Sequence, residues 1–111
     1  CLCVFCLPQI SMVEGAAKIE ANRIELYTGA YAQDFVQNPV QALRSFIEAA
    51  DVAKKMGLGV NAGHDLDLQN LKHLKKGIPY LAEVSIGHAL FCDALYYGIE
   101  NTIQMYKRQL Q

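Results

Sequence analysis

The sequence predicts an α/β fold in which four βα units follow one another and lay down a parallel sheet within a single partial domain, residues 1–111. Three observations carry this. Short strand-like stretches near Val4, Ile24, Gly59 and Glu83 each give way to a segment of helical period, with no hairpin dipeptide and no Gly-Ser linker between them. Two of the strands, Arg23-Ile24-Glu25-Leu26-Tyr27 and Glu83-Val84-Ser85-Ile86-Gly87, alternate polar and apolar residues, so one face of the sheet is polar. A doubly wound sheet carries helices on both faces and would be apolar on both, whereas a polar inner face suits a barrel. A closed (β/α)8 barrel takes about 250 residues. The 111 residues here make half of one.

The first strand runs from about Cys3 to Leu7, and a helix follows from Pro8 through Ile10, Val13 and Ala17. Proline suits a first helical turn because its missing N–H has no partner there. The second strand, Arg23 to Gly29, sets Ile24 and Leu26 on one face and Glu25 and Tyr27 on the other. A loop is expected over 30–37, then a helix capped by Asn38 with Pro39 in its first turn. Its apolar stripe is Val40, Leu43, Ile47, Ala50 and Ala53, and Gly57 ends it after Lys54 and Lys55, whose charge suits the negative end of the helix dipole. Strand three, Gly59 to Gly63, leads through Asp67, a candidate N-cap, to a short helix carrying Leu68, Leu71 and Leu74 that stops at Gly77. Strand four precedes one final helix whose stripe is Leu95, Ile99, Ile103, Tyr106 and Leu110. His73 lies away from every strand end and reads as a surface histidine.

Charge and composition exclude several classes. Ten Lys and Arg against eleven Asp and Glu give a net charge of −1, and no basic run with interleaved aromatics marks a nucleic-acid surface. No apolar stretch is long enough to span a bilayer. Cys1, Cys3 and Cys6 have a metal-like spacing, and Cys1 stands where a lipid anchor would. However, a structural zinc site needs four ligands, usually in two pairs on tight turns, and an extended strand points alternate cysteines to opposite faces. Cys92, within a helical pattern, is expected to be a small buried apolar residue. Reduced thiols in a cytoplasmic protein without metal or cofactor are the consistent reading. A first residue other than Met is expected of a piece cut from a longer chain.

Chemistry concentrates at two strand ends. Gly59-Val60-Asn61-Ala62-Gly63-His64-Asp65 is an apolar strand that exposes an imidazole and a carboxylate just past its carboxyl end, where parallel α/β folds bind ligands. His64 is the first catalytic candidate, although a strand-end histidine is also an ordinary loop residue satisfied by backbone. Glu83-Val84-Ser85-Ile86-Gly87-His88 repeats the Gly-His ending and runs straight into a helix. There the glycine lets an anion approach and the first-turn amides point outward, which suits phosphate. The same glycine is also common turn chemistry.

Three stretches together carry a family resemblance: Arg23-Ile24-Glu25-Leu26-Tyr27-Thr28-Gly29-Ala30-Tyr31-Ala32, Val60-Asn61-Ala62-Gly63-His64-Asp65, and Glu83-Val84-Ser85-Ile86-Gly87-His88-Ala89. In order and spacing the chain resembles the carboxyl-terminal half of pyridoxine 5'-phosphate synthase, a (β/α)8 TIM barrel. The resemblance covers nearly the whole chain and implies strands five to eight. It implies an enzyme that condenses 3-amino-2-oxopropyl phosphate with 1-deoxy-D-xylulose 5-phosphate and closes the pyridine ring of vitamin B6, releasing phosphate and water. By the same resemblance His64 is the general acid, and Glu25 steadies a cationic or hydroxyl-bearing intermediate. Asp65 occupies a substrate-binding position, where the family often has Gly. Gly87 and His88 contact the phosphate of 3-amino-2-oxopropyl phosphate.

The chain departs from the family at Leu7, where the family tends to carry Asp before its Pro. The family's earlier strands supply an Asn, an Asp-His pair, further His and Glu residues, an Arg and a Thr, which have no counterpart among these residues. Three readings therefore stand: a synthase half active when joined to or complemented by the amino-terminal half, a half-barrel that binds phosphate without turnover, and a remnant that only assembles. The partners implied are phosphorylated small molecules and either further copies in a homo-oligomer or the complementing half.

Overall fold

The computed structural model describes residues 1–111, with the element order β1 (Cys3–Cys6), α1 (Ile10–Lys18), β2 (Arg23–Tyr27), α2 (Gly29–Phe35), α3 (Pro39–Lys55), β3 (Gly59–Gly63), α4 (Leu71–Gly77), β4 (Glu83–Ser85), α5 (His88–Tyr97) and α6 (Ile99–Gln109). The strands form one sheet in the order β1-β2-β3-β4, and every neighbouring pair is parallel. This is the predicted topology. A doubly wound sheet would reverse its strand order part-way; here the order advances in one direction, as it does around a barrel.

The two faces of the sheet differ as the alternation requires. Ile24, Leu26, Val60 and Ala62 are buried on one face beneath the helices. Alanines at 49, 50 and 53, with Leu43 and Phe46, form the buried arc of α3 and let its backbone lie close to the sheet. The register sets Arg23 beside Gly59, Glu25 beside Asn61 and Tyr27 beside Gly63, and Asn61 and Gly63 beside Glu83 and Ser85. The other face therefore presents Arg23, Glu25, Tyr27, Asn61, Glu83 and Ser85. No helix is long and apolar enough to cross a membrane.

Several local expectations are corrected. Residues 30–37 are mostly helix: α2 is pinned because Tyr31 is fully buried, donates its hydroxyl to the Asn70 carbonyl at 2.6 Å and packs edge-on to Phe46. That anchor is tertiary and leaves no local cap signal. Asn38 caps α3 by accepting from the Gln41 N–H at 3.1 Å, as expected, but Val40 falls off the buried arc and is 76% exposed. Pro8 precedes α1, which starts at Ile10, because the Gln9 N–H turns back to the Leu7 carbonyl at 2.7 Å. Asp67 accepts from the Gln69 and Asn70 amides and so caps the turn that leads into α4.

The single final helix is two. Gly98, at φ +79°, breaks it into α5 and α6. Tyr106 is buried and donates to Asp93 at 2.7 Å, whereas Leu95, Ile99 and Ile103 are exposed. Cys92 is also exposed, because α5 buries none of its residues. His73 is half-buried at a helix junction, its Nε2 lying 3.1 Å from the Pro39 carbonyl and its ring edge-on to Phe35. The four cysteines are free thiols, with Cys6 buried and Cys1 and Cys3 exposed.

Candidate functional site

The carboxyl ends of β2, β3 and β4 open onto one cleft of about 520 Å3, lined by Glu25, Gly63, His64, Asp65, Ser85 and the Gly87-His88 pair, with Phe5 and Ile86 at its sides. Parallel pairing brings these positions together. Strands that run the same way and advance in sequence order must place all their carboxyl ends on the same rim. Each of the five residues singled out from the sequence, Glu25, His64, Asp65, Gly87 and His88, lines this cleft.

The Glu25 carboxylate occupies space that only a glycine on β3 leaves. A Cβ on Gly63 would sit inside contact distance of Glu25 Oε1 and 3.0 Å from Ser85 Cβ. Beneath it lies a polar layer. Arg23 Nη1 donates to Asn61 Oδ1 at 3.1 Å, Asn61 Nδ2 donates to Glu83 Oε2 at 3.2 Å, and Arg23 pairs with Glu83 at 3.4 Å. Asn61 is buried there with its amide satisfied on both sides. Cys3 is exposed as a residue, but partial desolvation of its thiol pushes it above its ordinary range; Glu25 adds to that, Arg23 opposes it and Glu83 adds again.

His64 stands on backbone bent out of the strand. Its φ is +100° and that of Asp65 is +57°, the left-handed region that costs an L-residue energy and clusters at functional sites. Thr28 holds the turn: its Oγ1 donates to the His64 carbonyl at 2.6 Å, and its N–H donates to the Gly63 carbonyl at 2.9 Å. The Tyr27 ring packs against the imidazole with centroids 4.6 Å apart and an interplanar angle of 49°. Nδ1 of His64 lies 3.0 Å from Asp65 Oδ2. Sequence reasoning missed Tyr27 and Thr28 as supports of His64. Their one signal was position, at the carboxyl end of β2 beside the His64 turn.

At the third strand end, Gly87 is the N-cap of the ten-residue helix α5, and no side chain caps it. The first-turn amides lack intrahelical partners and carry the positive end of the helix dipole. Nothing lies within 4 Å of where a Gly87 Cβ would be, so the approach to those amides is open. His88 opens the helix, with Nε2 3.5 Å from Cys92 Sγ one turn on. The cleft thus joins a carboxylate, an imidazole and an open helix N-terminus.

Comparison with known proteins shows the family to which the chain belongs. Residues 2–111 match the family described as pyridoxal phosphate biosynthesis protein PdxJ. The chain belongs to that family. It is 64% identical over 108 residues to a pyridoxine 5'-phosphate synthase of Cytophaga hutchinsonii, covering 97% of this chain and 45% of the relative. It is 54% identical over 108 residues to a protein of the same name from Bacteroides fragilis, covering 97% and 46%, and 45% identical over 108 residues to one from Flavobacterium johnsoniae, with the same coverage. The chain therefore spans a little under half the length of these curated relatives. In the family context the four parallel strands are half of a (β/α)8 barrel, which is the fold class expected from the alternation and the length.

Proposed function

We propose that this chain is the carboxyl-terminal half of a cytoplasmic pyridoxine 5'-phosphate synthase, which joins 3-amino-2-oxopropyl phosphate to 1-deoxy-D-xylulose 5-phosphate and closes the pyridine ring. The observation that supports this best is the meeting of Glu25, His64 and the Gly87-His88 helix terminus around one cleft. Imine formation and successive dehydrations need a group that gives up protons near neutral pH, and an imidazole is suited to that. His64 takes that role as general acid. Glu25, fixed against Gly63, faces the positive charge or hydroxyl of an intermediate. The open α5 terminus at Gly87 and His88 takes the phosphate of the amino ketone. The backbone at Asp65 contacts substrate. No cofactor is assigned.

The remaining catalytic groups belong to the amino-terminal half, supplied in the same chain or by a complementing partner, within a homo-oligomer. The test uses the complete barrel, with this chain joined in frame to the other half of a relative. His64→Ala should lower turnover by roughly 10²–10⁴-fold, the usual worth of a general acid, with much less change in binding of the amino ketone phosphate. Turnover within a few-fold of the parent would remove His64 from the chemistry. Phosphate affinity without turnover in the complete barrel would instead support the reading of this half as a binding module.

A further inference from the structure

Resting on the assignment of His64 as general acid, we propose that Asp65 is a positioning residue, whose carboxylate holds the His64 ring through Nδ1 and presents Nε2 to the cleft. Neighbouring side chains on an extended strand point to opposite faces. Here φ values of +100° and +57° at residues 64 and 65 bend the chain so that the two side chains meet, with His64 Nδ1 3.0 Å from Asp65 Oδ2. Of the carboxylates lining the cleft, Asp65 is the one paired with the imidazole.

The backbone under the pair is fixed from both sides. Thr28 Oγ1 binds the His64 carbonyl at 2.6 Å, and Asn70 Nδ2 donates to the Asp65 carbonyl at 3.1 Å while its own Oδ1 accepts from the Asp67 N–H at 2.9 Å. Asn70 is 3% exposed, so this brace is buried. Tyr27 covers one side of the ring. What remains free is rotation of the imidazole and the choice of nitrogen that carries the proton.

Asp65 settles both. The side chains of His64 and Asp65 are 51% and 60% exposed, and an ion pair this open to water adds little to stability. Its consequence is orientation. A neutral imidazole has one N–H, and a carboxylate facing Nδ1 selects the tautomer protonated there. When the ring gains its second proton, that proton sits on Nε2, the nitrogen left to the cleft. Nε2 gives it to a departing hydroxyl, which leaves as water, while Nδ1–H stays with Asp65. Glycine would adopt φ +57° without strain but has nothing to hold the ring, so the aspartate side chain has a use the backbone does not explain.

The test reads the tautomer directly. The complete barrel labelled with 15N-histidine, with His64→Gln to assign the signal, is recorded by two-bond proton–nitrogen correlation at a pH where the ring is neutral. The parent should show Nδ1–H, Asp65→Asn should keep it because the amide oxygen still accepts, and Asp65→Gly should move the proton to Nε2. Glycine suits the backbone at 65, so the fold is not at stake. In the complete barrel, Asp65→Gly should lower kcat by roughly 10- to 100-fold through misplacement of the acid, with KM nearly unchanged, and Asp65→Asn should recover part of the loss. Nε2–H in the parent, or a tautomer unmoved in Asp65→Gly, overturns the proposal whatever His64→Ala does. A tautomer set by Asp65 alongside full turnover in His64→Ala would uphold the positioning and overturn the catalytic role of His64.

Discussion

Replacing Gly63 by alanine should separate the fold from the chemistry, because the added methyl has one soft neighbour and one hard one. The backbone at 63 is not in the left-handed region, so alanine is allowed there. Its Cβ would overlap Glu25 Oε1, the end of a flexible side chain, and would stand 3.0 Å from Ser85 Cβ, which moves only with β4. Overpacking of this kind costs about 1–3 kcal/mol. Restricting the unfolded chain returns about 0.4–1 kcal/mol. The net is a destabilisation of about 1 kcal/mol, a shift of roughly 4–8 °C in Tm for a domain of this size.

The carboxylate must move to make room, so the complete barrel should lose about 10²-fold in turnover, the penalty of misplacing a catalytic group by about 1 Å. Repeating the substitution in a Glu25→Ala background isolates the overlap. With the carboxylate gone, the stability penalty should shrink, leaving a coupling between the two positions of about 0.5–1 kcal/mol. Urea midpoints of the four proteins and turnover of the complete barrels measure both effects. An equal penalty in both backgrounds, or full turnover in Gly63→Ala, would refute the argument that Gly63 exists to seat Glu25.

Two further outcomes follow from burial and from the open edges. Burial raises the hydroxyls of Tyr31, Tyr80 and Tyr106 well above their ordinary 10.0, with the Asp51 hydrogen bond adding at Tyr80 and the Asp93 hydrogen bond adding at Tyr106. A raised folded value means stability present below pH 10.0 and lost progressively above it, so urea midpoints should fall from pH 10 to 11, and Tyr31→Phe should lessen the fall; a flat profile would show that these hydroxyls ionise as freely in the fold as outside it. The outer edges of β1 and β4 are unpaired, and Phe5, Phe91, Leu95 and Tyr96 are 62%, 68%, 87% and 85% exposed, so the 12.3 kDa chain alone should sediment as an oligomer and make no pyridoxine 5'-phosphate. A monodisperse monomer in sedimentation velocity, or product from the chain alone, would contradict this.

The parallel order of the strands and the rim of the site were legible in the sequence, because both depend on patterns that are local and periodic. Alternation in Arg23-Ile24-Glu25-Leu26-Tyr27 assigns faces, and a helix between successive strands carries the chain back to start the next strand parallel to the last, so Glu25, His64 and Gly87 arrive at one end. Asn38 and Gly57 marked the ends of α3 because caps are bonds between residues a few positions apart.

The rest was decided in three dimensions. Helix α2 exists because Tyr31 reaches Asn70, thirty-nine positions away, and no local pattern records such a bond. The exposure of α5 and its break at Gly98 depend on what packs against a helix, and an apolar stripe states only that something could. The left-handed turn at His64 and Asp65, held by Thr28 just past the end of β2, arises where β2 and β3 come into register. Sequence thus determined which residues share a face and a rim, since covalent geometry fixes that along each element. Tertiary structure determined which of them touch, since contact depends on the register between elements distant in the chain.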